Sequence, residues 1–151
     1  MTTCKVAHSF FLPCDPIPAP RPRATARGRF ASVYHPPEYT RWKEGVAEAV
    51  RGVNDRPAEP LAVPLVVTVE VFVERPKTTK LTHPGPDIDN YAKGVLDAIT
   101  QSGLIWADDK HVVDLRISKA WCDDTNPCPG FAVTVTPKVT GWAWVWKLLT
   151  R

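Results

Sequence analysis

Between residues 61 and 74 the side chains alternate. Val63, Leu65, Val67, Val69, Val71 and Val73 share one side, with Thr68, Glu70 and Glu74 among the residues opposite. An apolar period of two, rich in β-branched residues, is the signature of a strand with one buried face. Shorter stretches repeat the pattern: Val6, His8, Phe10 and Leu12, then Val113, Leu115 and Ile117, then Phe131, Val133 and Val135. Two segments change period. From Pro37, the residues Tyr39, Trp42, Val46 and Val50 recur at three and four, with proline in the first turn, and residues 52 to 60 end the helix. Ile88, Tyr91, Ala92, Val95 and Ile99 mark a second helix that fades near Gly103, with Asp87 as its N-cap. The order strand, helix, strand, helix, strand, strand predicts an α+β (mixed α/β) domain with helices packed on one small mixed sheet. At 151 residues there is room for one such domain.

Hydrophobic residues at 44% and charged residues at 23% are ordinary for a globular chain and exclude disorder as its general character. Charge is unevenly spread. Residues 1 to 56 hold nine basic and five acidic side chains, and residues 57 to 110 hold five basic and eight acidic ones. A basic segment beside an acidic one suits a polyanion-binding surface next to a metal site. The densest basic stretch follows a run of prolines from Pro13 to Pro22 and reads as an extended loop carrying Arg21, Arg23, Arg27 and Arg29, then Phe30 and Tyr34. Arginine binds phosphate bidentately, and the two aromatics offer faces for exposed bases. Lys77 and Lys80, in the loop entering the second helix, are further phosphate contacts.

Cys4, Cys14, Cys122 and Cys128 form no CxxC pair, and no basic region followed by an apolar stretch opens the chain, so a reduced, cytoplasmic protein is the expectation. Zinc held by Cys122, Cys128 and a distant histidine is the competing reading, against idle or buried thiols. His8, His35, His83 and His111 show no paired spacing, and GxGxxG, GxxxxGK[ST] and GxSxG are all absent.

The chemistry concentrates between Asp87 and Asp109. Asp87 and Asp89 open the second helix, Asn90, Lys93 and Asp97 follow on it, and Asp108 and Asp109 sit in the next loop. A helix dipole explains either early acid alone. Asp89 and Lys93 lie four apart, away from the apolar stripe, where a surface ion pair is worth roughly 0.3–0.5 kcal/mol. Taken together, carboxylates beside an amine suit Mg²⁺, a hard cation that takes oxygen ligands and retains waters. Such a site serves phosphodiester hydrolysis.

The run P-D-I-D-N-Y-A-K-G-V-L-D-A-I from Pro86, followed by a glycine, an aromatic residue, D-D and V-V-D, resembles the RusA-type Holliday junction resolvases, found largely in bacteriophages and prophages. Weaker similarity runs from the R-P-R loop to about Pro137. The resemblance implies a magnesium-dependent homodimeric endonuclease that cuts four-way DNA junctions in pairs. It places metal-binding acids at Asp87, Asp89 and Asp109 and a catalytic lysine at Lys93, with Asn90 and Asp108 in support. One residue is extra between Gly103 and Asp108 relative to the family pattern, and the D-x-x-V-V-D register favours Asp109 over Asp108. A nuclease for other branched DNA and a non-catalytic DNA-binding protein are the rival readings.

Residues 1–137 are thus expected to form the nuclease domain and 138–151 a tryptophan-rich extension. Trp142, Trp144 and Trp146 alternate there, as in an edge strand or a partner-packing flap, and the segment is too short to span a bilayer. With the valine-rich strand, it is the expected surface for dimerisation.

Overall fold

The computed structural model describes residues 7–21 and 23–138. Along the chain run β1 (His8–Pro13), β2 (Arg23–Arg27), β3 (Phe30–Tyr34), α1 (Pro37–Arg51), β4 (Leu65–Val73), α2 (Ile88–Ser102), β5 (Val112–Trp121) and β6 (Gly130–Pro137). A single 3₁₀ turn, Asp109–His111, leads into β5. The expected α+β class is the one observed. The tryptophan segment and Cys4 lie outside the described residues.

Four strands form one mixed sheet in the order β1-β6-β4-β5, and only β4 and β5 run parallel. Parallel neighbours need a crossover, and α2 provides it. The valine alternation made β4 an interior strand: Leu65, Val67, Val69 and Val71 are buried between β6 and β5 and under the helices. Each such side chain contributes about 1.5–3 kcal/mol of burial. The valine-rich strand is therefore core, and the expectation that it offers a dimer surface does not hold. Val63, before the strand proper, is exposed.

The helices lie side by side over the sheet. α2 buries Tyr91, Ala92, Val95, Ala98 and Ile99, and α1 buries Tyr39, Val46, Ala47 and Val50. Gly103 ends α2 in the left-handed conformation at φ 66°, where a Cβ would be strained. Trp106, fully buried, donates its indole N–H to Thr100 at 2.8 Å and so ties the following loop to the last turns of α2. The other sheet face bears small and polar residues such as Ser9, Thr68, Thr134 and Ser118, set in register by the ladders.

Among the described residues β1 and β5 are the outer strands, each paired on one side. On β1, Asp55 accepts from the Ser9 N–H at 3.0 Å and pairs with the His8 Nδ1 at 2.9 Å, which blunts that edge. On β5, Val113 and Leu115 stay exposed.

One element departs from expectation. The arginine-rich stretch is not simply a loop: β2 and β3 pair as an antiparallel hairpin about a turn at Gly28 and Arg29. No helix among the described residues is long and apolar enough to cross a membrane.

Candidate active site

After Cys14, whose N–H donates to the Pro129 carbonyl at 3.3 Å, the proline-rich segment to residue 21 has no ladder partner among the described residues and lies across both helices instead. The Trp42 indole N–H of α1 donates to the Asp15 carbonyl at 2.8 Å, and the Ala19 N–H donates to the Asn90 carbonyl of α2 at 2.9 Å. Gly94 makes this approach possible, since a Cβ there would stand 3.2 Å from the Ile17 carbonyl oxygen and 3.3 Å from the Trp42 ring. Proline supplies stiffness and removes donors that would otherwise lack partners. The segment thereby delivers Arg21 to the first half of α2.

There a pocket of about 340 Å³ is lined by Arg21, His35, Tyr39, Asp89, Asn90, Lys93 and Asp97, together with Ala19 and Pro20. Five residues singled out from sequence, Arg21, Asp89, Asn90, Lys93 and Asp97, meet in it. A larger hollow, about 610 Å³, lies beside β1 and the end of α1 and contains none of them. Its one acid, Asp55, is already engaged with His8 and Ser9. The smaller pocket is the one with chemistry.

Within it Lys93 points C-terminally. Its Nζ lies 2.9 Å from Asp97 Oδ1, so the lysine pairs one turn down the helix and not with Asp89 one turn up. Tyr39 is buried and its hydroxyl has no hydrogen-bond partner among the described residues. Burial, with the nearby Asp97 carboxylate adding to it, pushes the phenol up to about 12. Tyr39 stacks on Trp42 and leans on His35, which fixes the wall of the pocket. Neither Tyr39 nor His35 carried a signal in the sequence beyond helical spacing and a lone imidazole.

Asp87 is the N-cap residue by backbone conformation, yet its carboxylate makes no hydrogen bond to the first-turn amides. It is exposed, as is Asp89, and both remain available to an outside cation. Asp108 is different. Its carboxylate accepts from the Lys110 N–H at 2.9 Å, and that bond holds its pKa below the usual carboxylate value. Asp108 thus caps the 3₁₀ turn, and Asp109 opens it.

The acids do not converge. Lys119 of β5 donates from Nζ to the Pro86 carbonyl at 2.7 Å, and Trp121 donates from its indole to the Leu81 carbonyl at 3.1 Å. These contacts fix the N-terminus of α2 at the far end of β5. Asp109 stands at the near end, just before Val112, which pairs with Leu65. From Asp87 to Thr100, beside Trp106, the helix rises about 20 Å. Among the described residues no group of three or more His, Cys, Asp or Glu side chains could hold a metal ion. The donor set has the right chemistry for a hard cation, since all three acids offer carboxylate oxygens, but one chain does not gather them.

Lys119 itself was legible as an anomaly. It is a cation at a half-buried position of an alternation whose neighbouring places are taken by Ile117 and Trp121. Of the other proposed DNA contacts, Arg29 lies exposed in the hairpin turn, and Lys77 and Lys80 are exposed on the loop after β4. Lys77 shares a shallow hollow with Asp15 and Glu74. The side chains of Arg23 and Arg27 lie outside the described residues, although their backbones form β2.

Comparison with known proteins adds family information to this geometry. Residues 13–136 match the family model described as "Endodeoxyribonuclease RusA". An uncharacterized protein of Bacillus subtilis (strain 168), YqaN, is 31% identical over 124 residues, covering 73% of this chain and 84% of that protein. The matched span runs from the end of β1 to the end of β6.

Proposed function

The chain belongs to the endodeoxyribonuclease RusA family, and from that premise we propose that it resolves four-way DNA junctions as a magnesium-dependent homodimer making paired incisions. The observation that carries this reading is the meeting of Arg21, Asp89, Asn90 and Lys93 in one pocket at the start of α2. A phosphodiester needs a cation beside its non-bridging oxygens and a donor near the departing oxygen. Lys93 is the donor, and release from Asp97 lets its ammonium swing toward the phosphate. Arg21, held over α2 by the Ala19–Asn90 hydrogen bond, grips a neighbouring phosphate.

Asp87, Asp89 and Asp109 are the residues that would hold Mg²⁺, with Asn90 in support. When bound, the ion supplies charge relief on the phosphate and makes a water acidic enough to attack. Asp108 stays with the turn and orients Asp109. Arg23, Arg27 and Arg29 of the hairpin and Lys77 and Lys80 of the loop are the further residues we assign to phosphate contact along the DNA arms. We place the reaction in the cytoplasm of a bacterial cell, consistent with the relative in Bacillus subtilis.

Cleavage of a synthetic four-way junction with and without Mg²⁺, beside flap and linear duplex controls, tests the proposal. Paired cuts confined to the junction are expected. Equal cutting of flaps would make it a general branched-DNA nuclease, and binding without cutting would make it a DNA-binding protein.

A further inference from the structure

Resting on the reading of Lys93 as the donor to the departing oxygen, we infer that Tyr39 is a positioning residue whose hydroxyl takes over the Asp97 carboxylate when Lys93 leaves it for a phosphate. Tyr39 is only 3% exposed, and its hydroxyl has no hydrogen-bond partner among the described residues. Lys93 Nζ lies 2.9 Å from Asp97 Oδ1. All three side chains line one pocket, and the Asp97 charge acts on the phenol in addition to burial. An orphan donor thus stands beside a carboxylate whose present partner is a mobile lysine.

Buried polar groups without partners are rare, and one that persists calls for a state in which it is used. Solvent does not reach the Tyr39 hydroxyl, so its acceptor must be a protein group. The tyrosine cannot travel to find one. Its ring stacks on Trp42 at 5.7 Å, leans on His35 at 5.5 Å and carries the Lys43 ammonium 5.7 Å above its centre. Trp42 is in turn tied to the Asp15 carbonyl. Asp97, a short side chain 25% exposed, is the group free to turn. At rest Lys93 satisfies it and the hydroxyl stays unpaired. When a phosphate draws the ammonium away, Asp97 is left as an uncompensated carboxylate facing a polyanion. Turning toward Tyr39 gives it a charge-assisted hydrogen bond, about twice as strong as one between neutral groups. The exchange lowers the cost of releasing Lys93 and keeps Asp97 from drawing it back. Phenylalanine at position 39 fills the same space and lacks the donor.

Two measurements test this. The first needs no activity. The chain holds three tyrosines, so protein labelled with ¹³C at the tyrosine ζ carbon gives three resonances, and Tyr39→Phe identifies one of them. Lys93→Met removes the ammonium and keeps the stem. Without DNA or metal, that variant should shift the Tyr39 resonance, because the hydroxyl gains an acceptor. Lys93→Met combined with Asp97→Ala should return it to the wild-type position. No shift in the single variant, or the same shift in the double one, overturns the exchange. The second measurement is single-turnover cleavage of a four-way junction in Mg²⁺. Tyr39→Phe should slow it about tenfold or more, the loss of one hydrogen bond to a charged group, at unchanged junction affinity. In an Asp97→Ala background the same substitution should cost nothing further. An equal loss in both backgrounds would make Tyr39 a structural residue and overturn the proposal. If wild-type itself does not cut DNA, the nuclease reading falls while the resonance still decides the exchange.

Discussion

Lys93 and Asp97 lie one turn apart on α2 with 2.9 Å between Nζ and Oδ1, the lysine side chain 65% exposed and the aspartate 25%. So exposed a pair is worth only about 0.3–0.5 kcal/mol, which makes it a weak tether. Its weakness is useful at a site where the ammonium must leave for a phosphate.

Asp97→Asn should therefore change folding stability by less than about 0.5 kcal/mol in urea titration. Lys93→Ala should lower junction cleavage by about 10²- to 10³-fold, the usual cost of removing one preorganised charge donor, while binding persists. Cleavage at the wild-type rate by the alanine variant would return Lys93 to the role of a surface ion pair.

Asp89 separates binding from cutting. Neutralising an exposed acid in a pocket that also holds Arg21 and Lys93 removes repulsion toward phosphate. Asp89→Asn should abolish incision and leave junction affinity equal or tighter, as read by gel shift without metal. An incision rate equal to wild-type would show that Asp89 serves only the helix dipole.

The parts of the fold that follow from one-sided periodicity were legible in the sequence. Leu65, Val67, Val69 and Val71 declared a buried strand, and Tyr91, Ala92, Val95 and Ile99 a buried helix face, because each pattern has only one geometry that hides it. That β4 would be interior was not legible, since alternation states which face is covered and not which edges are paired. The hairpin escaped because residues 23 to 27 alternate arginine with alanine and threonine, leaving no apolar stripe to read. For the site, spacing placed Lys93 four residues from both Asp89 and Asp97 and could not choose between them. Nearness in sequence also suggested that Asp87 and Asp109 would meet. A fifteen-residue helix running antiparallel to β5 carries them to opposite ends, a consequence of topology that no local pattern contains.

Alkaline pH should find the buried acids of the helix layer. Burial raises Tyr39 from 10.0 to about 12 and Cys14 from 9.0 to about 12. Folding holds these protons more tightly than the unfolded chain does, so the stability they contribute is full below the unfolded values. It drains as pH rises from 9 toward 12. Urea midpoints taken across that window should fall, and the fall should lessen in Tyr39→Phe. Because the Tyr39 hydroxyl is buried without a partner, the phenylalanine variant should be no less stable than wild-type at neutral pH, and up to about 1 kcal/mol more stable. A loss of more than that would mean that the hydroxyl has a bond in solution.

The close approach at Gly94 offers a way to move Arg21 without touching its charge. A leucine there would collide with the Ile17 carbonyl and the Trp42 ring, at a cost of about 1–3 kcal/mol for overpacking. The cheapest relief is for segment 14–21 to lift, since among the described residues the Ala19 and Asp15 hydrogen bonds are what hold it to the helices. Lifting carries Arg21 away from α2. Each phosphate neutralised contributes a slope of about −0.9 in log affinity against log salt. Arg21→Ala should therefore make that slope about one unit shallower for junction DNA, and Gly94→Leu should do the same with every charge still present. Matching slopes in the two variants, measured by fluorescence anisotropy across a salt series, would show that the position of the segment, and not the net charge of the protein, sets the contact. A Gly94→Leu variant that folds and keeps the wild-type slope would place Arg21 outside the DNA surface.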